Sequence, residues 1–104
     1  GLTGAAVLLF RRTSQVARLY SLSVAEAARG TGLSGRLLEK CEDISRQRHC
    51  GLIRLEVRET NSRAKRLYER HGYRVMARAA GYYPDGEAAL KMEKPLSGLS
   101  REVQ

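Results

Sequence analysis

The stretch from Arg29 to Gly35, Arg-Gly-Thr-Gly-Leu-Ser-Gly, constrains this chain most. It follows a strand-like run, Val16 to Val24, and opens an amphipathic run, roughly Gly32 to His49, whose apolar residues recur at helical spacing. Glycine permits a tight turn and leaves room for a phosphate to approach the backbone. The helix presents free N–H groups and the positive end of its dipole. The pattern therefore predicts an anion-binding turn.

The remaining pattern predicts an α/β fold with the element order β-β-α-β-α-β-β. The expected strands and helices are, in chain order, Ala5–Arg12, Val16–Val24, Gly32–His49 (helix), Leu52–Arg58, Asn61 to about His71 (helix), Tyr73–Arg78 and Ala88–Lys94. Residues 1–96 are predicted to form a single domain, and residues 97–104 a polar tail. The connection Ala25–Ala28 leads into the glycine stretch.

Polar and glycine residues mark the expected helix ends. Asn61 is predicted to cap the second helix at its start, and Gly72 to end it. For the first helix, Gly51 is the expected residue just past the end. If the glycine stretch is only a structural turn, Thr31 caps the first helix.

Composition narrows the classes of protein. The 104 residues carry a formal net charge of +8, which suits nucleic acid, an acidic protein surface or an anionic cofactor. Nucleic acid is not favoured, because no recognition motif accompanies the charge. Cys41 and Cys50 show no metal-ligand spacing with the histidines. Cys41 falls on the apolar stripe of the first helix, and the buried free thiol expected there predicts a reducing, cytoplasmic setting. Neither a membrane span nor a signal peptide is expected.

The glycines admit a second interpretation. Gly30, Gly32 and Gly35 satisfy G-x-G-x-x-G, and Glu56 follows some twenty residues later, as in dinucleotide-binding folds. Five residues separate Val24 from Gly30, however, and a single βαβ unit cannot build the two halves of such a fold. A Walker A motif is absent from the sequence.

With its surroundings, the stretch resembles the GNAT acetyltransferase superfamily, and within it the RimI-type N-terminal amino-acid acetyltransferases of ribosomal proteins. The similarity spans roughly Ala5 to Leu96 and rests on Leu19–Val24, Arg29–Ser34, Leu55–Arg58, Asn61, Ala64, Leu67–Glu69, Gly72–Tyr73 and Tyr82–Met92. Arg29, Gly32 and Ser34 occupy the family pattern Arg/Gln-x-x-Gly-x-Gly/Ala, with serine as a departure at the last place.

The resemblance implies acetyl-coenzyme A (acetyl-CoA) as co-substrate and a protein or peptide amine as acceptor. The pantetheine arm would pair with the backbone of Leu22, Ser23 and Val24, and Asn61 would contact the cofactor. The pyrophosphate would bind N–H groups of the glycine stretch, which comprises Arg29, Gly30, Thr31, Gly32, Leu33, Ser34 and Gly35. Arg36, Lys40, Arg63 and Arg66 are candidates for outer phosphates, or form a solvated face.

By the same resemblance, Glu56 matches the general base and Tyr68 the general acid that protonates the coenzyme A thiolate. The residues themselves leave alternatives open. Glu56 lies on the polar face of its strand and could instead pair with Arg54 or Arg58. Tyr68 lies on an apolar helix stripe, where core packing is the plain interpretation, although its ring can pack while its hydroxyl reaches a pocket.

Compared with that family, the sequence lacks an N-terminal strand, two helices and a further strand, so the expected fold is a GNAT-like mixed sheet without them. An exposed first strand predicts a homodimer, formed through that edge or by exchange of elements. The alternative function is a catalytically inert domain that binds acetyl-CoA or a partner chain.

Overall fold

The computed structural model describes residues 3–25 and 28–96. Its strands and helices follow the predicted order: β1 Gly4–Phe10, β2 Val16–Val24, α1 Leu33–Gln47, β3 Leu52–Arg58, α2 Ser62–Arg70, β4 Arg74–Ala79 and β5 Ala89–Pro95. The predicted polar tail and two residues of the connection Ala25–Ala28 lie outside the described residues. The predicted α/β fold is confirmed, and the last strand runs through Pro95 instead of stopping before it.

The five strands form one mixed sheet in the order β1-β2-β3-β5-β4. Its terminal pairs, β1 with β2 and β4 with β5, are antiparallel. The described residues divide into two compact units. The first contains residues up to 53 together with 95 and 96, and the second contains Arg54–Lys94.

The first unit is a β-hairpin with helix α1 packed on both of its strands. The hairpin turn is closed where the Ser14 N–H donates to the Arg11 carbonyl over 3.2 Å. The backbone at Gly4 lies close to the helix, because a Cβ there would lie 2.8 Å from Leu37 Cδ1. Leu19 and Leu38 are among the buried residues of this unit.

The second unit packs helix α2 through Tyr68, the buried residue of that helix. Its ring meets Tyr73 edge to face, with ring centroids 5.6 Å apart. In β3 the predicted alternation is confirmed: Leu55 and Val57 are buried, whereas Glu56 on the opposite face is half-buried.

Both helices end in the same hydrogen-bond pattern but with different residues. After α2, Gly72 adopts φ 93°, as predicted for a residue just past a helix end. After α1, the left-handed position is taken by His49, at φ 62°, and the Cys50 N–H donates to the Ser45 carbonyl. The prediction that Gly51 fills this position is wrong, because α1 ends at Gln47, two residues earlier than the sequence pattern indicates.

Candidate functional site

The glycine stretch forms a turn with two left-handed backbone positions directly before α1. Gly30 has φ 81° and Gly32 has φ 83°, and Gly32 is the N-cap residue of α1. The first backbone hydrogen bond of the helix runs from the Arg36 N–H to the Gly32 carbonyl, over 3.1 Å. The N–H groups of the first turn precede this bond and have no intrahelical acceptor. They therefore form a set of donors directed out of the helix.

The alternative that Thr31 caps α1 is wrong. No side chain caps the helix at its N-cap residue, and the Thr31 hydroxyl instead donates back to the Ala28 carbonyl. The Thr31 N–H also points to Ala28, over 3.4 Å. The backbone donors at the start of this helix are accordingly those that follow Gly32, on Leu33, Ser34 and Gly35.

Arg36 brings a cation to the same turn. Its Nη1 donates to the Thr31 carbonyl over 3.3 Å, and a Cβ added to Gly32 would lie 3.3 Å from that nitrogen. Arg36 and Arg29 are both exposed. The positive helix end and these two guanidinium groups have the charge that a phosphate requires.

Leu22, Ser23 and Val24 end strand β2, in the same unit as the glycine turn. On one side they pair with β1, in the register Ala6 with Leu22, Ala5 with Ser23 and Gly4 with Val24. Just before them, the register shifts so that Tyr20 is an extra residue in β2. Such a bulge bends the strand and disrupts the local ladder of hydrogen bonds. No pattern of residues in the sequence indicates this bulge.

Glu56, Asn61 and Tyr68 lie in the second unit. Asn61 caps α2 as predicted, since its Oδ1 accepts from the Ala64 N–H over 3.2 Å. The residue is exposed, so its amide group can also contact a ligand. Tyr68 is 8% exposed and packs on Tyr73, which fits the core-packing interpretation and leaves its hydroxyl chemistry as a prediction.

The arginines on either side of Glu56 have other carboxylate partners. Arg54 donates to Glu93 over 2.7 Å, and Arg58 donates to Asp85 and Glu87 over 2.8 and 3.0 Å. Glu56 also makes a noncovalent interaction within the protein, and its side chain is half-buried. That Glu56 acts as the general base therefore stays a prediction, which rests on the family resemblance.

Sequence reasoning missed a network of ion pairs in the second unit. Arg78 of β4 donates to both carboxylate oxygens of Glu59, over 2.7 and 2.9 Å. Arg58 holds Asp85 and Glu87, and its Cζ lies 4.1 Å from the Tyr83 ring centroid. Only the pairing of opposite charges far apart in the sequence could have signalled the network.

These contacts shift the pKa values of the groups involved. The Glu87 backbone N–H and the Arg58 guanidinium lower the pKa of Asp85, and the hydrogen bonds from Arg78 lower the pKa of Glu59. Burial raises the pKa of Tyr83; the charge of Glu56 also raises it, whereas that of Arg58 lowers it. Tyr83 therefore lies in the fields of both Glu56 and Arg58.

Other classes of site have little support. Among residues 3–25 and 28–96, no three histidine, cysteine or acidic side chains cluster as metal ligands. Within the same ranges, no helix has the length and apolar character of a membrane span. Cys41 is a buried free thiol, as expected, and Cys50 is a second one.

Comparison with known proteins places these features in a family. The sequence profile of the Acetyltransferase (GNAT) family matches residues 2–73. That match covers the β2–α1 glycine turn, β3 and α2. The chain belongs to the GNAT acetyltransferase family.

Individual relatives point to amine acetylation. N-alpha-acetyltransferase 30 of Saccharomyces cerevisiae is 37% identical over 79 residues, which cover 76% of this chain and 45% of the yeast protein. The crystal structure of the ribosomal-protein-S18-alanine N-acetyltransferase from Escherichia coli superposes with a TM-score of 0.82 at 31% identity, covering 90% of this chain and 61% of that one.

A third relative was solved with ligands. The NatC complex bound to Gag peptide and CoA superposes with a TM-score of 0.78 at 31% identity, covering 86% of this chain and 57% of that one. The present chain spans about half the length of the curated relatives it matches.

The turn geometry predicts a stability difference between two glycines. Gly32→Ala should lower the free energy of unfolding by about 1–2 kcal/mol, because L-residues are strained in the left-handed region. Gly51→Ala is the control: a Cβ there meets nothing within 4 Å, and its φ is not left-handed. Urea denaturation measures both. Equal stabilities for the two variants would contradict the assigned turn.

The ion pairs predict a loss of stability in acid. The pKa values of Asp85 and Glu59 in the folded chain lie below their ordinary values of 3.8 and 4.5. As the pH falls, these groups are therefore protonated in the unfolded chain before the folded chain, and this protonation favours unfolding. Their contribution is complete above those values and is lost as the pH falls through the folded-state pKa values. Urea denaturation from pH 7 to 3 should show this decline. It should be shallower in Asp85→Asn and Glu59→Gln than in the unmodified chain, and identical profiles would contradict the assignment.

Proposed function

We propose that this chain is an acetyl-CoA-dependent N-acetyltransferase domain whose acceptor is the α-amine of a protein or peptide. The proposal rests most directly on the uncapped start of α1 behind two left-handed glycines, in a chain that belongs to the GNAT family.

The glycine turn fits the pyrophosphate of acetyl-CoA. A helix start with free N–H groups binds anions, and Gly30 has no atom within 4 Å of the position that a Cβ would take. In this proposal the pyrophosphate binds the donors from Leu33 to Gly35, with Arg29 and Arg36 adding charge. Leu22–Val24 bind the pantetheine arm through their backbone, and Asn61 contacts the cofactor. When bound, acetyl-CoA supplies the activated acetyl thioester.

The proposed chemistry is a proton-balanced acyl transfer. The amine nitrogen attacks the thioester carbonyl carbon, and the new C–N bond replaces the C–S bond. Glu56 accepts the proton that the amine loses, and the Tyr68 hydroxyl supplies the proton that the coenzyme A thiolate takes up. A backbone N–H of β2 stabilises the oxyanion.

Protonation equilibria favour an α-amine as the acceptor. An α-amine with a pKa of about 7.8 is roughly a quarter neutral at pH 7.4, whereas a lysine with a pKa of about 10.4 is about a thousandth neutral. A single carboxylate base suffices for the former. The names of the yeast and Escherichia coli relatives support the same acceptor class.

Two measurements test the function against its alternatives. Calorimetry should detect acetyl-CoA binding, and a thiol-release assay should detect turnover with peptides that carry free N-termini. Binding without turnover on peptides or small amines would favour the inert binding domain. No binding at millimolar cofactor would remove both interpretations.

Glu56→Gln should lower kcat by about a hundredfold or more, the usual contribution of a general base. The matched control is Glu69→Gln, which removes an exposed carboxylate from α2. Thiol release under saturating substrates measures both variants. A wild-type rate in Glu56→Gln would remove this residue from the mechanism.

Tyr68→Phe separates the two roles of Tyr68. The ring remains in its place against Tyr73. The free energy of unfolding should therefore fall by no more than the roughly 1.5 kcal/mol of one hydrogen bond. The kcat should fall, because phenylalanine has no hydroxyl proton to give to the coenzyme A thiolate. If kcat instead stays at the wild-type value in the thiol-release assay, Tyr68 serves packing alone.

A second copy of the chain is the proposed partner. In the described sheet, β1 is a terminal strand that exposes 44% of Val7 and 47% of Leu9. The outer edge of such a strand can pair with another chain. Light scattering at micromolar concentration should give a dimer mass, and Leu9→Lys should shift it toward the monomer. A monomer mass for the unmodified chain would contradict this pairing.

A further inference from the structure

Arg58, at the end of β3, holds one short segment at three points. Its Nη1 donates to Asp85 over 2.8 Å and to Glu87 over 3.0 Å, and its Cζ lies 4.1 Å from the centre of the Tyr83 ring. A planar guanidinium can stack on an aromatic ring and bind carboxylates at once, which an ammonium group cannot. The segment Tyr83–Glu87 is thus fixed by one side chain.

The same segment is closed by its own hydrogen bonds. The Tyr83 N–H donates to the Glu87 carbonyl over 3.1 Å, and the Gly86 N–H donates to the Tyr83 carbonyl over 2.8 Å. The Glu87 N–H donates to Asp85 Oδ1 over 3.0 Å. These bonds make the segment a small closed turn.

Two residues just past the end of β3 reinforce the contact. The Thr60 hydroxyl lies 3.0 Å from Oε1 of Glu87, and the Glu59 N–H donates to the Ala88 carbonyl over 3.0 Å. The turn and the residue that follows it are therefore attached to residues three and four positions after Glu56 in the chain.

The charge of Glu56 reaches this turn. Tyr83 is half-buried, and this burial raises the pKa of its hydroxyl. The charge of Arg58 lowers that pKa, and the charge of Glu56 raises it. Glu56 and Arg58 are two residues apart in one strand and share its polar face. A displacement of the turn would therefore change the polar surroundings of Glu56.

We propose that Arg58 is a positioning residue, which fixes the Tyr83–Glu87 turn against the end of the strand that carries Glu56. The inference rests on the proposed function for the importance of Glu56. Arg58 touches no substrate in this account, and it acts through the turn alone.

Steady-state kinetics provide the first test. Arg58→Ala should lower kcat/KM for the acceptor peptide by about tenfold to a hundredfold, the cost of a small displacement near reacting groups. The KM for acetyl-CoA should change much less than kcat/KM for the acceptor, since the proposed pyrophosphate and pantetheine contacts lie in the glycine turn and in β2. Arg58→Lys keeps the charge but not the planar fork, so it should recover only part of the loss.

The matched control is Arg78→Ala. Arg78 also donates twice to a carboxylate and is 55% exposed, against 39% for Arg58, but its partner Glu59 lies outside the Tyr83–Glu87 turn. This variant should keep the wild-type kcat/KM. An equal loss in the two variants would reduce Arg58 to a general stabilising role and overturn the proposal.

Hydrogen exchange gives a readout that needs no activity. The amides of Tyr83, Gly86 and Glu87 should exchange faster in Arg58→Ala and stay protected in Arg78→Ala. Unchanged exchange in Arg58→Ala would overturn the proposal whatever the kinetics. Faster exchange with wild-type kcat/KM for the acceptor would also overturn it.

The two measurements separate this inference from the proposed function. If the unmodified chain transfers acetyl to no acceptor, the proposed function fails, while faster exchange in Arg58→Ala would still support Arg58 as the residue that fixes the turn. If Arg58→Ala does not fold, Arg58→Lys decides by the same two readouts, and wild-type values in both would overturn the proposal.

Discussion

Two left-handed glycines determine where helix α1 begins. With φ near 80° at Gly30 and Gly32, the backbone reverses just before the helix, and no side chain caps the first turn. A row of N–H donors is left at the positive end of a 15-residue helix. Residues with a Cβ would resist this path, so the donors depend on glycine at these positions. The proposed binding of a pyrophosphate follows from that backbone constraint.

Charge pairs connect the strands and turns of the second unit. Arg54, Arg58 and Arg78 each hold a carboxylate from another segment. Pairs this exposed contribute little stability one by one. Their larger effect is geometric, because a guanidinium with two partners defines the position of a turn. Arg58, which lies two residues after the proposed base Glu56, does this for the Tyr83–Glu87 turn.

Much of the fold was predictable because its signals are local. Alternation in β3, the Asn61 cap and Gly72 each depend on a few neighbouring residues. Thr31 and Gly51 were misassigned where two local options compete: the Thr31 hydroxyl bonds back to Ala28, and α1 ends early with His49 in the left-handed position. The bulge at Tyr20 and the contacts of Arg58 with residues 27 and 29 positions away depend on tertiary packing. No periodicity in the sequence encodes them.

The central claim is that this chain transfers an acetyl group to an α-amine. The most direct test is mass spectrometry of a peptide with a free N-terminus and one internal lysine, after incubation with the chain and isotopically labelled acetyl-CoA. We expect label on the N-terminal nitrogen and none on a peptide whose N-terminus is blocked. Label on the lysine, or no label on either peptide, would contradict it.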